Sequence, residues 1–578
     1  MDKKRKGFLL FILIFFMIIF FAACGDSTHN KATPESEAGS YPNAGLLVSG
    51  DSLEASLGDS GSVIIDARSS GYTDSHIPGA ISLIWSDYTD ENVNLKPVVD
   101  LESQLSAAGL SRNMKFIIYD DTTASWGAAG RIFWMLEYLG CTDVHILNGG
   151  WDKWVEDGRS AEATINTLPE DTFVADVQED RLADKDHILN RLGEDDFVII
   201  DPREDEEYNG WTLYGETRGG HIRSAVSVNY KWFFNSDKTV LSYENLKDLL
   251  ESSEITTDKE VISYCTAGIR SGFIYFALRL MGYEQCSNYD GSMYEWSADA
   301  ACPMDMIKNY HKLVYPAWVE ELIAGGNPGI ADSPATYPGN GYIIIEASSL
   351  YWKGAANPDG YNPHEDYESG HIPGAISIPL NTLDTTVEGG IYPWTCPEDG
   401  NLLPPSELQS VIEGYGITYD ITAIVYCGKN SYLGGCYRVA WALMCAGVED
   451  VRYLNGDLPA WLSNGGTLEN TPNVLPNPVD FGIPIPAQHP IYRTTTEEVE
   501  EMLLDPSAVV VDIRSWEEHI GDVNPYDFFD TKGHIPGDVY GENMGCYLDG
   551  DGTLRSYTEV KKMWCDRGIT PNKKVTFY

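Results

Sequence analysis

The stretch ISYCTAGIRS at residues 262–271 decides the fold, because a short apolar run passes there into small residues and then into a helical pattern. The apolar residues before Tyr264 are typical of a strand buried on both faces. Beyond the small residues, the segment from Phe273 to Met281 places apolar side chains at helical spacing. A strand that runs through a tight loop into a helix predicts a parallel sheet with the loop at its carboxyl edge, where ligands bind.

The same pattern recurs along the chain. Two further loops begin at Asp120 and Cys427, and apolar residues at helical spacing follow them at 131–139 and 437–445. Four apolar strands that end in an acidic residue lie upstream, at 63–66, 198–201, 343–346 and 509–512. Each strand is followed by a His-Ile turn, at His76, His221, His371 and His534. Because strands alternate with helices, we predict an α/β fold in which each repeat is a parallel sheet flanked by helices.

Most of the recurring polar and aromatic residues are interpreted as structural. Three strands continue to an arginine two residues beyond the acid, which predicts ion pairs at the strand ends by Arg68, Arg203 and Arg514. The histidine of each turn is predicted to be a hydrogen-bonded turn residue rather than a catalyst. A tryptophan five residues after a glycine is predicted to fill the core at Trp154, Trp296 and Trp461.

The residues from Tyr264 to Ser271, with Gly220-His221-Ile222-Arg223 upstream, resemble the active domain of the rhodanese family of thiosulfate and mercaptopyruvate sulfurtransferases. The resemblance extends from about residue 44 to the end of the chain. It implies tandem rhodanese-like domains, with predicted bounds 45–165, 170–305, 310–470 and 488–578. It also implies an inactive first domain beside an active second one, and no metal or nucleotide cofactor.

The implied reaction is sulfur transfer through a persulfide on Cys265. A thiolate must attack the sulfane sulfur, and a helix amino terminus beside a cation can lower a cysteine pKa into roughly the 3.5–7.5 range. Arg270 is predicted to supply the cation at the rim of the loop, and Gly268 is predicted to adopt positive φ. The loop is one residue shorter than in related phosphatases, which favours sulfur over phosphate chemistry. The predicted substrate-binding turn consists of Thr266, Ala267, Gly268 and Ile269.

The resemblance also indicates the donor and the acceptor. Arg223 corresponds to a substrate-binding arginine of the family, and it is expected to bind the sulfonate of thiosulfate or a keto-acid carboxylate. Ala267 stands where the family's thiosulfate enzymes often have lysine, so the identity of the donor stays open. The expected acceptors are cyanide, a thiol or a protein. The alternative function is a low-turnover persulfide carrier or sulfur sensor.

The first and third loops differ from the second. Asp120 cannot form a persulfide, so the first repeat is predicted to be a structural partner. Cys427 is predicted to be a second catalytic cysteine, with Lys429 as a substrate-binding residue; a degenerate loop is the alternative, because the arginine is missing. Cys436 and Cys445 on the following helix are predicted to pack in the core, although Cys436 could instead act as a resolving thiol.

The fourth repeat is expected to be truncated before its active-site loop. Val575-Thr576-Phe577-Tyr578 matches the strand before Cys265, and the spacing from His534 places the next nucleophile just past Tyr578. We hypothesise that a frameshift, an incomplete gene or a UGA codon read as stop rather than selenocysteine ended the chain. A repeat without its last strands and helix is expected to be unstable in isolation.

Residues 1–23 predict an export signal. Basic residues at 3–6 precede an apolar run from Phe8 to Phe21. This run is shorter than the roughly 20 apolar residues that a helix needs to span a bilayer. A permanent membrane anchor is the alternative to a cleaved signal. Phe21-Ala22-Ala23-Cys24 resembles a bacterial lipoprotein processing site, which implies cleavage before Cys24 and lipidation of its thiol. Residues 24–44 lack an apolar period and predict a flexible tether. We therefore expect an exported protein that is lipid-anchored to the cell membrane.

Composition excludes several other classes of protein. The 578 residues exceed one hydrophobic core, and 43% hydrophobic with 12% aromatic residues is a globular composition. A formal net charge of −48 argues against a nucleic-acid partner. The charge says little about the expected substrate, a small sulfur-containing anion such as thiosulfate. The eleven cysteines show no spacing typical of a metal site or a dense disulfide framework, so most are predicted to be buried thiols and no metal is expected.

Overall fold

The computed structural model describes residues 41–58, 61–325, 338–347, 367–379, 382–383, 402–428, 435–484, 494–524 and 531–578. The chain forms two compact bodies, Met1–Ile307 and Lys308–Tyr578, and each is described by itself. The predicted export signal, the lipidation residue Cys24, most of the tether and Lys429 lie outside the described residues.

The first sheet of the first body has five parallel strands in the order β1-β5-β4-β2-β3. Its strands are β1 Leu47–Val48, β2 Ser62–Asp66, β3 Ile81–Ser82, β4 Lys115–Tyr119 and β5 Val144–Leu147. Its helices are α1 Gly50–Ala55, α2 Val98–Ala107, α3 Ala128–Tyr138 and α4 Gly150–Glu156. The central strands β2 and β4 are almost wholly buried, because helices cover both faces of a parallel sheet.

The second sheet repeats this topology, with the parallel order β6-β11-β10-β7-β9. Its strands are β6 Leu182–Ala183, β7 Phe197–Asp201, β9 Val226–Ser227, β10 Glu260–Ser263 and β11 Cys286–Tyr289. A separate antiparallel pair joins β8 His221–Ile222 to β12 Met304–Asp305. Its helices are α5 Lys185–Arg191, α6 Asp205–Asn209, α7 Tyr243–Ser252, α8 Ile269–Leu280 and α9 Ser292–Ala298.

Helices α3 and α8 join the two sheets into one hydrophobic core. Two glycines allow the close approach: a Cβ on Gly130 would lie 2.6 Å from the backbone nitrogen of Phe273, and one on Gly272 would lie 2.8 Å from Cα of Arg131. Phe273 and Phe276 of α8 pack there against Phe133 of α3. Every other side chain would therefore force these two helices apart at the crossing.

The second body contains two further sheets. The third has the parallel order β13-β17-β16-β14-β15, and the fourth has three parallel strands in the order β19-β18-β20. The strands are β13 Leu313–Val314, β14 Tyr342–Ala347, β15 Ile376–Ser377, β16 Thr422–Cys427, β17 Asp450–Leu454, β18 Ala508–Asp512, β19 Val539–Tyr540 and β20 Lys574–Phe577. The helices are α10 Pro316–Ile323, α11 Pro405–Gly414, α12 Gly435–Ala446, α13 Asp457–Ser463, α14 Thr496–Met502, α15 Trp516–His519 and α16 Tyr557–Cys565.

The predicted fold class is confirmed, since the four main sheets are parallel and flanked by helices. The four predicted acidic strands lie in β2, β7, β14 and β18, and the three predicted helices lie in α3, α8 and α12. The predicted ion pairs form between each strand-end aspartate and Arg68, Arg203 or Arg514. The predicted core tryptophans are buried. In the described ranges, no helix has the length and apolar character needed to cross a bilayer.

Candidate functional site

Cys265 lies in the loop that leads from β10 into α8, at the carboxyl edge of the second sheet. The parallel neighbours β7 and β11 end at the same edge, so the loops after all three strands converge here. Gly268 caps the amino terminus of α8 with φ of 77°, which confirms the predicted left-handed conformation. The loop is fixed from outside by Ser292, whose Oγ accepts the Cys265 N–H at 3.1 Å.

The thiol of Cys265 is held toward its anionic form. Burial alone would raise its pKa, but the positive charge of Arg270 and hydrogen bonds from Ser271 and the Ala267 amide outweigh burial and lower the pKa below the usual value of 9.0. The predicted combination of loop amides and a guanidinium therefore surrounds the sulfur. Because the thiolate is the nucleophilic form of a cysteine, this environment favours the reactive form of Cys265.

Other buried cysteines of the same body show the opposite behaviour. Burial raises the pKa of Cys141 to about 12 and that of Cys286 to about 12, and it also raises the pKa of Cys302. All three are as enclosed as Cys265, and none follows a strand into a helix amino terminus. These three fit the prediction of inert buried thiols, and Cys265 differs from them in its charge environment rather than in its burial.

Arg270 is buried, so the prediction that it lies at the rim of the loop is wrong. Its guanidinium makes a two-pronged ion pair with Glu207 of α6, at 2.6 and 2.9 Å, and donates to Thr266 Oγ1 at 2.8 Å. Burial alone would raise the pKa of Glu207, but Arg270 outweighs it and lowers that pKa. The Arg270 side chain points into the protein because the Glu207 carboxylate lies there and neutralises its charge.

Two residues of the segment 210–219 contact this cluster. The Tyr214 ring centroid is 5.6 Å from the Arg270 guanidinium carbon, and the Tyr214 carbonyl accepts a hydrogen bond from the hydroxyl of Tyr294 at 2.9 Å. Glu216 is buried, and burial and the nearby charge of Glu207 raise its pKa. Cys265 itself is only 1% exposed.

The ion-pair partner of Arg223 is Asp305, which is not one of the residues described around Cys265 and Arg270. The Arg223 side chain is 55% exposed and pairs with Asp305 at 3.2 Å, at the end of the β8–β12 pair. The assignment of Arg223 to substrate binding stays a prediction.

Asp120 occupies the first sheet's equivalent of the Cys265 position. Its carboxylate accepts the N–H of Thr122 at 2.8 Å and that of Ala129, in the first turn of α3, at 2.9 Å. Burial raises the Asp120 pKa to about 7 in spite of these bonds. The carboxylate thus fills the space of an active loop and caps a helix, which is a structural role.

Cys427, at the end of β16, is joined by a disulfide to Cys436 of α12. The Cys427 N–H donates to Asp457 at 2.6 Å, and Asp457 also accepts from the Tyr453 hydroxyl at 2.5 Å. Cys445 is buried, as expected of a packing residue. Cys436 is bonded to the predicted second nucleophile, which is the partner that a resolving thiol would have.

The residues that surround Cys265 and Arg270 from other elements were not predicted from the sequence. Glu207, Glu216 and Ser271 contribute to the charge or hydrogen bonding around Cys265 and Arg270, and Arg131 of α3 donates to the Gly268 carbonyl at 3.1 Å. The run of acids at 204–207 after β7 was the available signal for Glu207. Nothing in the sequence links Arg131 to a loop more than a hundred residues away.

The fold and the cysteine loop together define the class of the protein. The model of the Rhodanese-like domain family matches residues 49–157, 184–299 and 361–464, which is more than half of the chain, and the chain belongs to this family. A putative thiosulfate sulfurtransferase of Haloferax volcanii is 34% identical over 279 residues, covering 45% of this chain and 96% of the relative. Thiosulfate sulfurtransferase YnjE of Escherichia coli is 29% identical, covering 68% of this chain and 81% of the relative.

Two further relatives differ in what they are named for. The sulfur carrier protein TtuD of Thermus thermophilus is 30% identical, covering 46% of this chain and 98% of the relative. The crystal structure of an anaerobic ergothioneine biosynthesis enzyme from Chlorobium limicola is similar with a TM-score of 0.56 and 30% identity, covering 68% of this chain and 88% of that one. Since several relatives are named thiosulfate sulfurtransferases, the chain is a rhodanese-type transferase with a sulfurtransferase role.

Proposed function

We propose that the protein moves sulfane sulfur from thiosulfate or a related donor to cyanide or a thiol through a persulfide on Cys265. The Cys265 thiolate attacks the outer sulfur of thiosulfate, so that a new S–S bond forms and sulfite leaves with the electrons of the broken bond. Cyanide then attacks the outer sulfur of the persulfide. Thiocyanate leaves and the Cys265 thiolate is regenerated.

One observation carries this proposal. Among the buried cysteines of the first body whose pKa shifts, Cys265 has its pKa lowered, whereas Cys141, Cys286 and Cys302 have theirs raised. An inert core thiol would follow burial and stay protonated. The amides and Arg270 around Cys265 stabilise its thiolate, and the same groups would stabilise the negatively charged terminal sulfur of a persulfide.

The proposal is tested by mass spectrometry and kinetics on the same samples. After thiosulfate treatment, the peptide that contains Cys265 is expected to gain the mass of one sulfur atom, and cyanide is expected to remove it. Cys265→Ser is expected to abolish steady-state thiocyanate formation, while Cys286→Ser serves as the matched control. Undiminished turnover by Cys265→Ser would remove this residue from the mechanism.

A persulfide carrier with low turnover is the second candidate function. The observation that favours it is the burial of Cys265, which is 1% exposed. A buried persulfide is protected from water and from small acceptors until a partner protein opens access to it. Rapid loading by thiosulfate with slow release to cyanide would indicate this function, whereas rapid release would indicate the transferase cycle.

We further propose that Cys427 is a second sulfur-carrying residue that is available only when its disulfide is reduced. A dithiol reductant would transfer two electrons to the Cys427–Cys436 bond and leave both thiols free. The support is the placement of Cys427 at the carboxyl end of β16, which corresponds to the sheet edge that Cys265 occupies after β10. Lys429 stays the predicted substrate-binding residue of this loop.

The cellular location and the fourth domain are also proposals. Residues 1–24 support an exported protein with a lipid on Cys24, and Cys24→Ala is expected to release the protein from the membrane fraction without loss of sulfur transfer.

The sheet of β18, β19 and β20 supports a fourth rhodanese-like domain. Its central strand β18 ends in an acid that pairs with an arginine, and a His-Ile turn follows that strand, as it does in the other sheets.

A further inference from the structure

Two histidines and one aspartate meet at the carboxyl edge of the fourth sheet. His519 ends α15, His534 lies in the following turn, and Asp538 directly precedes β19. One possible ligand atom of each residue lies within 4.8 Å of those of the other two. The two imidazole ring centroids are 4.1 Å apart, and His534 Nδ1 lies 2.5 Å from Asp538 Oδ1.

The same positions in the other three sheets can be identified by backbone contacts. In every sheet the isoleucine after the turn histidine donates its N–H to a tyrosine hydroxyl, in the pairs Ile77–Tyr119, Ile222–Tyr264, Ile372–Tyr426 and Ile535–Tyr578. In every sheet the residue three positions further donates its N–H back to that isoleucine, and these residues are Ala80, Ala225, Ala375 and Asp538. Asp538 therefore replaces an alanine that the other sheets share.

His519 likewise replaces a tyrosine. In the other sheets a tyrosine stacks on the turn histidine, in the pairs Tyr72–His76, Tyr208–His221 and Tyr367–His371. There the histidine Nδ1 bonds the tyrosine backbone carbonyl, and the tyrosine hydroxyl bonds the alanine carbonyl. In the fourth sheet His519 takes the stacking position, and His534 Nδ1 contacts the Asp538 carboxylate instead of a backbone carbonyl.

These replacements place the Asp538 carboxylate in a buried position, where a charged group costs more free energy than in water. The Asp538 side chain is fully buried, and among the described residues its ion pairs are with His519 and His534 rather than with lysine or arginine. Asp512, by contrast, is paired with Arg514 at 2.7 Å and contacts His519 Nδ1 at 3.0 Å. A buried carboxylate needs a cation, and a carboxylate behind a histidine is the usual means of orienting a metal ligand.

We propose that His519, His534 and Asp538 bind a divalent transition-metal ion of the zinc type, with Asp512 orienting the His519 ring. Imidazole nitrogen and carboxylate oxygen are ligands of Zn²⁺, and three protein ligands leave a coordination position open for water or another ligand. The site is distinct from the persulfide loop, and it ties α15, the turn and the start of β19 to one another.

The test measures Zn²⁺ bound by the full chain after chelator treatment and alkylation of free thiols, with Cys427 and Cys436 kept oxidised. The wild-type chain is expected to bind about one equivalent at micromolar zinc. The double variant His519→Tyr with Asp538→Ala recreates the residues of the other three sheets, so it is expected to fold and to lose that equivalent. His187→Ala removes a histidine that is 43% exposed, close to the 41% of His534, and that pairs with Glu260; this variant is expected to bind zinc like the wild type.

Cobalt substitution identifies the ligand type. Co²⁺ in the wild-type chain is expected to show visible absorption without thiolate-to-metal charge transfer, because the proposed ligands contain nitrogen and oxygen alone. Absence of zinc binding by the wild-type chain at micromolar concentration, or an unchanged equivalent in the double variant, would overturn the proposal. A thiolate charge-transfer band that persists after alkylation would do the same, since it would place the ion at cysteine.

Discussion

At Cys265 two effects of one location act in opposite directions. The loop buries the thiol, which favours the neutral form, but it also brings the thiol to a helix amino terminus and to Arg270, which favour the anion. The charge and the hydrogen bonds win, so the pKa is lowered. Reactivity here therefore depends on Arg270, and Arg270 depends in turn on Glu207 for its position.

The first prediction concerns Arg270→Gln. Removing the cation is expected to raise the Cys265 pKa by at least about one unit, which lowers the thiolate fraction about tenfold at a pH below the pKa. The pH dependence of iodoacetamide alkylation measures this shift. Glu207 would lose its two-pronged partner in the single variant, although Arg203 lies 3.8 Å away, so Arg270→Gln with Glu207→Gln controls for lost stability. If the alkylation profile stays where it was in both variants, the electrostatic account of Cys265 fails.

The second prediction concerns Asp120. Its folded-state pKa of about 7 lies above the usual 3.8, so the stability it contributes is present below about pH 4 and is lost as the pH rises to about 7. Three units correspond to roughly 4 kcal/mol. Asp120→Asn does not titrate, so its unfolding free energy relative to wild type is expected to improve as the pH rises from 4 to 7. Denaturant unfolding of both proteins across this range measures the difference, and a constant difference would contradict the prediction.

At the level of secondary structure, the same kind of strand-to-helix connection holds its polar residue in three different states. Asp120 follows β4, Cys265 follows β10, and Cys427 ends β16. The first accepts amide hydrogen bonds from its helix, the second is a thiol with a lowered pKa, and the third is bonded to the helix that follows. The fold places each residue at a sheet edge, and the identity and partners of that residue decide what it can do there.

The third prediction concerns the Cys427–Cys436 disulfide. Because the Cys427 sulfur is bonded, thiosulfate is not expected to add sulfur to it in the oxidised chain. Reduction, or Cys436→Ser, is expected to allow a gain of one sulfur atom on the Cys427 peptide in mass spectrometry. Cys445→Ala alters another buried cysteine of α12 and is expected to change nothing. A Cys427 that stays unmodified in Cys436→Ser would indicate a degenerate loop.

In the first body a helix that packs on the first sheet contacts the Cys265 loop of the second sheet. Arg131 of α3 crosses to the second sheet, where it pairs with Asp290 and donates to the Gly268 carbonyl at 3.1 Å. Gly130 and Gly272 bring the helices close enough for this contact. The Cys265 loop is thus held from two sides, by Glu207 of its own sheet and by Arg131 of the neighbouring one.

The fourth prediction concerns this support. Arg131→Met would leave the buried carboxylate of Asp290 without its cation, and the unfolding free energy of the chain is expected to fall by roughly 3–5 kcal/mol. Arg131→Met with Asp290→Asn removes both charges and is expected to recover much of that loss. Denaturant unfolding measures both variants. Equal stability of the single variant and the wild type would show that the pair does not hold the two sheets together.

The sequence by itself determined the four acidic strands, three of the helices and the strand–loop–helix element that contains Cys265. Apolar runs such as 198–200 and 343–345 form buried strands because a parallel sheet covered on both faces admits little else, and Gly268 marks the left-handed turn that begins α8. These signals are local, so they can be read without knowing what lies next to them.

Tertiary structure alone decided which charges meet. Arg270 turned inward because Glu207 lies behind it, and Arg131 reached the Cys265 loop because two glycines let helices from different sheets cross. His519, His534 and Asp538 came together because the end of α15, the following turn and the start of β19 meet in the folded chain. Electrostatic interactions act over a few ångströms in space, and sequence spacing does not give those distances until the chain is folded.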